Sequence, residues 1–384
     1  MADCGEAISA NDGTWTNKQQ QLLVKDGGAS NNQPPSTKFI NWQQCLMIAL
    51  NIFFLLVGQA TAVLLGRSYY NHGGNSKWMA TSTQTAAFPI LLIPYFLLPS
   101  SSSKDPSSLS NPQSICTVSF VYIGLGVLVA GDNLMYSVGL LYLSVSTYSL
   151  VCATQLAFNA IFSVVINHDK FTALILNSVV VLSLSSSLIG INDDSDGPSG
   201  VSKAKYIIGF VCSLGASALY SLVLSLMQLS FDKVLKKGTF FVVLEMQIYT
   251  SAVATCASVV GLFASGEWRT LEGEMNVYDT GKVSYVMTLV WTAVAWQVSS
   301  LGGVGLIFVV SSLFANVIAT LSLALIPIAA VIVFHDQMNG VKIIALLMAL
   351  WGFASYMYQN YLDDVEANKE QAVVDGATDG SSDC

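Results

Sequence analysis

The sequence predicts an all-α integral membrane protein of ten transmembrane helices, arranged as two inverted five-helix repeats. Three observations support this prediction. The 384 residues are 53% hydrophobic and only 10% charged, whereas a soluble domain carries about 25% charged residues. Apolar stretches of about 20 residues, the length that crosses a bilayer, follow one another along the chain. The second half of the chain also repeats the pattern of the first half.

Ten apolar stretches are predicted as helices, because lipid permits only helices or closed barrels, and barrel strands are about half this length. The first five lie at about 45–65, 79–98, 117–138, 146–166 and 171–191. The second five lie at about 206–229, 240–263, 283–302, 313–334 and 341–361. The predicted domains are a disordered polar tail over 1–40, repeats over 41–192 and 203–362, and an acidic disordered tail over 363–384.

The repeat rests on a short shared motif. His168-Asp169 precedes the fifth predicted helix and His335-Asp336 precedes the tenth, at an offset of 167 residues that also superposes the other spans within a few residues. Because five is odd, the second copy lies upside down, an arrangement typical of secondary transporters with a substrate site between the halves. No further ligands cluster with these histidines, so we interpret them as helix-end residues and expect no metal or cofactor.

Ten helices place both termini on one side of the membrane. With the termini cytoplasmic, nine of the 16 Lys and Arg residues face the cytoplasm, so the positive-inside rule favours cytoplasmic termini. The net charge of -8 excludes nucleic acid as a partner. No catalytic motif occurs at a recognisable spacing, so we expect no enzyme activity.

Two carboxylates lie within predicted helices, Asp132 in the third and Glu245 near the start of the seventh. A charge at membrane depth costs about 2.5 to 3.5 kcal/mol on the insertion scale. Neither residue has a Lys or Arg partner within a predicted helix, and burial favours the protonated carboxyl. The pair therefore indicates proton coupling, although Glu245 near a helix end could instead reach the interface.

Amides and aromatic rings supply candidate substrate contacts. Gln155 and Asn159 lie one turn apart on a polar face of the fourth helix that also carries Tyr148, and each amide offers a donor and an acceptor to a heteroaromatic ring. Hydrogen bonding between helices is the alternative role for such residues, as packing or interfacial positions are for aromatic rings. The remaining candidates are Gln84, Asn133, Tyr136, Gln247, Trp291, Trp296 and Asn316.

Several ordered motifs make the sequence resemble the plant purine permeases, a family of the drug/metabolite transporter superfamily. They are Ser76-Lys77-Trp78, residues 84–98, Gly131-Asp132-Asn133-Leu134-Met135-Tyr136, Gln155-Leu156-Ala157-Phe158 and residues 312–360, within a resemblance that covers residues 40–361. The resemblance implies the drug/metabolite transporter fold and proton-driven uptake of purine bases and derivatives such as adenine and cytokinins. It implies the plasma membrane as location, with an internal membrane as the alternative.

By this resemblance the site is expected around Asp132, Asn133, Gln155, Asn159, Glu245 and Gln247. The sequence departs from the family in the short segment before the fourth helix, where Ser144 replaces a frequent proline. The alternatives are an efflux or exchange carrier for another metabolite or an organic cation, and a receptor that transports nothing. The oligomeric state is not predicted.

Overall fold

The computed structural model describes residues 42–97, 112–167, 172–191, 202–235 and 240–379. These residues are helical with short connections and contain no strand. Contacts separate Met47–Cys384, the compact unit described below, from Met1–Leu46. In chain order the α-helices are α1 Trp42–Asn71, α2 Lys77–Thr83, α3 Leu92–Leu97, α4 Pro112–Tyr142, α5 Val145–Cys152, α6 Gln155–Phe162, α7 Ala173–Ile191, α8 Lys203–Ser230, α9 Phe240–Ser265, α10 Leu271–Val277, α11 Lys282–Val309, α12 Ser312–Phe334 and α13 Gly340–Asp379.

Eight helical segments of the described chain are long and apolar enough to cross a bilayer. They are Cys45–Asn71, Cys116–Tyr142, Val145–Ile166, Lys203–Leu235, Phe241–Ser265, Lys282–Val309, Ser312–Phe334 and Gly340–Gln359. Large apolar side chains such as Phe120 and Ile332 are exposed along them, as expected where hydrocarbon is the solvent. The protein is an all-α, multi-pass integral membrane protein.

The predicted second helix is broken into short pieces. After α2 the chain forms a turn, a 3₁₀ segment Phe88–Leu91 and then α3. Hydroxyl groups in α2 bond to nearby backbone carbonyls, as Thr81 Oγ1 does to Lys77 O at 2.8 Å, which competes with a regular helix. Pro89 and Pro94 each lack the N–H that a continuous helix needs.

The predicted fifth helix is present as α7, which is 19 residues long and includes the apolar run Leu176–Ser185. It packs against α13, where Ser185 Oγ donates a hydrogen bond to Ala345 O at 2.9 Å. A Cβ added at Gly352 on α13 would lie 3.0 Å from Leu182 Cγ. The described residues contain eight helices that are long and apolar enough to cross a membrane, against the ten predicted. The second predicted segment is not among them because it is broken into short pieces.

The structure can be compared with the prediction at the C-terminal end of the chain but not at the N-terminal end. Residues 1–40 and the motif at His168 lie outside the described residues. At the other end α13 continues to Asp379, through most of the segment predicted to be disordered. Residues 366–372 read Glu-Ala-Asn-Lys-Glu-Gln-Ala, and the high helix propensity of all of these except asparagine favours the extension. His335 ends α12 in a left-handed conformation with φ 54°, in accord with a helix-end role.

Arg67 corrects the expectation that no Lys or Arg lies within a membrane-spanning helix. The sequence predicts that the first span ends at residue 65, but α1 continues to Asn71 and Arg67 is buried within it. Its Nη1 donates hydrogen bonds to Leu140 O at 2.8 Å and to Leu143 O at 3.1 Å. Carbonyls at the end of α4 have no helical partner, so the guanidinium stabilises that helix end.

Helices α1 and α11 approach each other at glycines. A Cβ added at Gly302 would lie 2.6 Å from Asn51 O and 2.7 Å from Leu55 N, which are backbone atoms. A Cβ at Gly58 would lie 2.7 Å from Ser299 N. Small residues permit such close packing, on which helix association in membranes depends. This contact fixes the position of α1 beside α11.

Residues 266–281 connect α9 to α11 and are called the cap here. Glu274 of the cap accepts hydrogen bonds from Tyr69 OH at 2.9 Å and from Asn75 N at 3.1 Å. Burial raises the pKa of the Glu274 carboxyl, and these hydrogen bonds oppose the shift. Glu267 makes similar bonds to the start of α2. The cap is therefore tied to α1 and to the segment that begins α2.

Two apolar clusters form the centre of the bundle. The Leu306 cluster includes Leu55, with Val129 packed against it. The Ile326 cluster includes Val63 and Tyr136. Along the helices, polar residues lie between these two clusters, and we call them the polar layer. Its members are Gln59, Asp132, Asn133, Ser299, Ser300 and Thr320.

Candidate functional site

A cavity of about 110 Å³ lies at the polar layer. Residues from both halves of the chain line it, near the middle of the long helices. About half of the lining residues are apolar or aromatic. The lining residues are Leu55, Gln59, Val63, Gln84, Thr85, Val129, Asp132, Asn133, Tyr136, Tyr148, Gln155, Tyr220, Val223, Leu224, Met227, Gln247, Thr250, Ser251, Trp296, Ser299, Ser300, Gly303, Val304 and Leu323.

Most of the candidates predicted from the sequence meet in this cavity. They come from segments far apart in the chain, which the bundle brings together. Those that line the cavity are Gln84, Asp132, Asn133, Tyr136, Gln155, Gln247 and Trp296. The structure thus places four amides, one carboxyl group and two aromatic rings around one space.

Four candidates lie away from the cavity lining. Trp291 is 59% exposed on the outer face of α11. Glu245 is half-buried and lies near Tyr95 and Tyr122. Asn159 and Asn316 are fully buried between helices. Asn159 Oδ1 accepts a hydrogen bond from Ser225 Oγ at 3.4 Å, so at least part of its role is contact between helices.

The break between α5 and α6 positions Gln155. Gln155 O accepts hydrogen bonds from Ser221 Oγ at 2.6 Å and from Asn316 Nδ2 at 3.1 Å. Its side-chain Oε1 accepts from Tyr136 OH at 3.4 Å, and its Nε2 donates to Thr320 Oγ1 at 3.4 Å. Four hydrogen bonds to three other helices therefore hold this amide at the cavity wall.

Ser144, the departure from the family pattern, begins α5. Its Oγ accepts a hydrogen bond from Thr147 N at 3.3 Å and donates one to Thr147 Oγ1 at 3.0 Å. A serine in this position is a favourable N-cap, a role that proline cannot perform with its side chain. The substitution stabilises the start of the helix that carries Tyr148.

Two other amides in the lining, Gln84 and Gln247, have hydrogen-bond partners for some of their polar atoms. Gln84 Nε2 donates hydrogen bonds to Asn133 O and Ser137 Oγ, each at 3.0 Å. Gln247 Nε2 donates to Ser251 Oγ at 3.1 Å. These bonds orient both side chains, so that their remaining polar atoms are available to a ligand.

Three buried polar atoms of lining residues have no hydrogen-bond partner within the described part of the chain. They are Gln59 Oε1, Asp132 Oδ1 and Asn133 Nδ2. Buried polar groups in proteins are almost always hydrogen-bonded, because leaving one unpaired costs about 1–3 kcal/mol. Gln59, Asp132 and Asn133 therefore each bring unsatisfied hydrogen-bonding capacity to the cavity wall.

Sequence reasoning did not single out several lining residues, of which Gln59 and Tyr220 are the largest polar ones. Gln59 is an amide in the middle of an apolar helix, the same signal that identified Gln155. Tyr220 has no such signal, because a tyrosine in a membrane helix is common at packing positions. Only the packing of α8 against α4 reveals that it faces the cavity.

A second, smaller cavity of about 20 Å³ adjoins the first and shares Gln84, Tyr136, Tyr148 and Trp296 with it. Its lining extends to Tyr69, whose hydroxyl donates to Glu274 of the cap. The two cavities therefore form a series that leads from the polar layer towards the cap.

Polar cavities near the middle of long apolar helices are typical of secondary transporters, which bind substrate within the membrane. The fold and the site thus define a membrane transport protein. The sequence matches the PUNUT family, described as purine nucleobase transmembrane transport, over residues 46–366. The chain belongs to this family.

Individual relatives agree with the family match. The chain is 64% identical over 354 residues to "Probable purine permease 11" of Arabidopsis thaliana, covering 91% of this chain and 92% of that protein. It is 55% identical over 358 residues to "Probable purine permease 13" of the same plant, covering 92% and 97%. A solved structure named "Crystal structure of protein" aligns with a TM-score of 0.48 at 14% identity, covering 83% of this chain and 98% of that one.

Proposed function

We propose that this chain is a proton-coupled importer of purine nucleobases and derivatives, such as adenine and cytokinins, located in the plasma membrane. The family match supports a purine substrate. The observation that carries the proposal is a cavity whose wall joins aromatic rings to Gln59, Asp132 and Asn133, each of which has a buried polar atom without a partner among the described residues. A purine offers flat faces for stacking and an edge that both donates and accepts hydrogen bonds.

Asp132 is proposed to bind the coupled proton. It is 4% exposed and lines the cavity, and none of the described residues that line this cavity is Lys or Arg. A buried carboxylate without a cation is costly, and protonation removes that cost. Glu245 lies outside the cavity lining, so a proton bound there would make no direct contact with a ligand in the cavity.

The proposed architecture has ten membrane segments in two inverted halves, 41–192 and 203–362, with both termini cytoplasmic. The 167-residue offset supports it. The cavity supports it as well, because Gln84 from the first half and Gln247 from the second line the same space. Rocking of one half against the other would then expose the cavity to each side in turn.

A carrier that exports or exchanges an organic cation is the second candidate. The unpaired Asp132 Oδ1 favours it, because a carboxylate would also attract a positively charged substrate. The direction of transport separates the two candidates.

Uptake of radiolabelled adenine by cells without their own purine carriers tests the proposal. It is measured at acidic and at neutral external pH, with and without a protonophore. Accumulation should rise in acid and collapse with the protonophore. Cells that display the protein at the surface and take up no adenine would contradict the proposal, and efflux of a preloaded cation would then support the second candidate.

Asn316 is proposed as a positioning residue for Gln155. Replacing it with alanine removes one of the two donors to Gln155 O. A net hydrogen bond contributes about 0.5–1.5 kcal/mol, so we expect the half-saturation concentration for adenine uptake to rise about 2- to 10-fold. The amount of protein at the surface and the maximal rate per molecule should change less than the half-saturation concentration.

Ser322→Ala is the matched control on the same helix. Ser322 Oγ also donates to a backbone carbonyl of another helix, Leu56 O at 3.2 Å, but it has no bond to Gln155. An equal change in both variants would indicate a general loss of packing and would contradict the positioning role.

A further inference from the structure

Gln59 lies on the face of α1 that borders the cavity. Leu55 and Val63, one turn before and one turn after it, line the same cavity. Leu55 belongs to the Leu306 cluster and Val63 to the Ile326 cluster. Gln59 is therefore held between two apolar clusters with its amide at the polar layer.

Asp132 lies at the same level on α4. Val129, one turn earlier, packs against the Leu306 cluster, and Tyr136, one turn later, belongs to the Ile326 cluster. Because the same two clusters bracket Gln59 and Asp132, both side chains reach the same layer of the cavity from different helices.

The acceptor of Gln59 has no partner in the described residues. Gln59 is 7% exposed, and its Oε1 is buried without a hydrogen bond. Gln228 on α8 shows how this fold treats a glutamine with a structural role, because its Oε1 accepts hydrogen bonds from both the backbone N, at 2.9 Å, and the hydroxyl of Ser312. Gln59 lacks such a partner. Its side chain lines the cavity, and rotation of the amide about its last torsion presents Oε1 to the space that a ligand would enter.

We propose that Gln59 is a specificity-determining residue that accepts a hydrogen bond from an amino group on the transported base, an inference that rests on the proposed function. The preference for an amino group follows from the unpaired Oε1 of Gln59. A carbonyl oxygen selects an N–H donor, and a buried acceptor that stays unpaired disfavours a ligand without that donor. Gln59 thus favours amino-substituted purines over purines that carry no exocyclic amino group.

A cycle of protein and ligand changes tests this contact. Adenine and unsubstituted purine, which differ by the amino group, are each tested as inhibitors of radiolabelled adenine uptake by the wild type and by Gln59→Met. Methionine keeps the length of the side chain without its polar atoms. The wild type should prefer adenine by about tenfold or more, and Gln59→Met should reduce that preference to about twofold or less.

Gln297→Met is the matched control. Gln297 is also a buried glutamine, and both of its side-chain polar atoms lack a partner in the described residues, but it does not line the cavity. This variant should keep the preference of the wild type. Gln59→Glu keeps an acceptor oxygen and should keep the preference for adenine as well.

The outcomes separate this inference from the proposed function. An unchanged preference in Gln59→Met, with normal uptake, would overturn the role of Gln59 and leave purine transport intact. If Gln59→Met does not reach the membrane, Gln59→Glu decides, because loss of the adenine preference there would overturn the role. A wild type that transports neither compound would overturn purine transport itself.

Discussion

Replacing Asp132 with asparagine should abolish proton-driven accumulation of adenine. The amide keeps nearly the same shape in the cavity but cannot bind and release a proton. A gradient of one pH unit corresponds to about 1.4 kcal/mol and supports about tenfold accumulation when one proton is coupled to a neutral substrate. We therefore expect the ratio of internal to external adenine to fall to about 1, measured with surface expression held equal.

Exchange of internal unlabelled adenine for external labelled adenine separates coupling from binding. Asp132→Asn should retain exchange, because exchange needs no net proton movement. Glu245→Gln is the control, since Glu245 lies outside the cavity lining, and it should retain both accumulation and exchange. Normal accumulation by Asp132→Asn would remove this residue from the coupling mechanism, and its loss in Glu245→Gln would transfer the role there.

Replacing Gly302 with leucine should prevent most of the protein from folding. The Cβ would lie 2.6 Å from Asn51 O and 2.7 Å from Leu55 N, and backbone atoms in a packed helix cannot move aside as a side chain can. Overpacking costs about 1–3 kcal/mol or more, and here it separates α1 from α11. The amount of monodisperse protein after extraction in mild detergent, and its thermal unfolding, measure the effect.

Gly303→Ala is the folding control for this prediction. It lies on the same helix one residue later, and its Cβ would lie 3.8 Å from Leu55 Cδ1, an ordinary contact. Alanine also has the higher helix propensity. We expect yield and thermal stability close to those of the wild type. Equal yields from both variants would show that α1 and α11 do not pack as closely as described.

The sequence predicted much of the site because buried polar chemistry in a membrane helix is costly and therefore conspicuous. Asp132 and Gln155 stand out in apolar runs for this reason. The same reasoning could not distinguish polar residues that line the cavity from polar residues that only bond to neighbouring helices. Asn316 and Gln155 give the same signal in sequence, yet Asn316 donates to the backbone of Gln155 while Gln155 lines the cavity.

Helix ends were harder to predict than helix centres. A hydropathy pattern ends where polar residues begin, but α1 continues past Arg67 because carbonyls at the end of α4 accept its hydrogen bonds. The second predicted helix differs in the opposite sense, because it is interrupted where a continuous helix is predicted. Its composition is apolar enough, but hydroxyl groups and prolines interrupt the backbone hydrogen bonds.

By itself, the sequence determined that this protein resides in a membrane, that it is helical, and that polar residues such as Asp132 and Gln155 lie within its apolar segments. These properties depend on local composition, since hydrocarbon selects apolar helices whatever their neighbours are. Only the tertiary structure decided which polar side chains share one cavity and which, like Gln59, are left without a partner. Those properties depend on helix rotation and close approach, which are set by contacts between residues far apart in the chain.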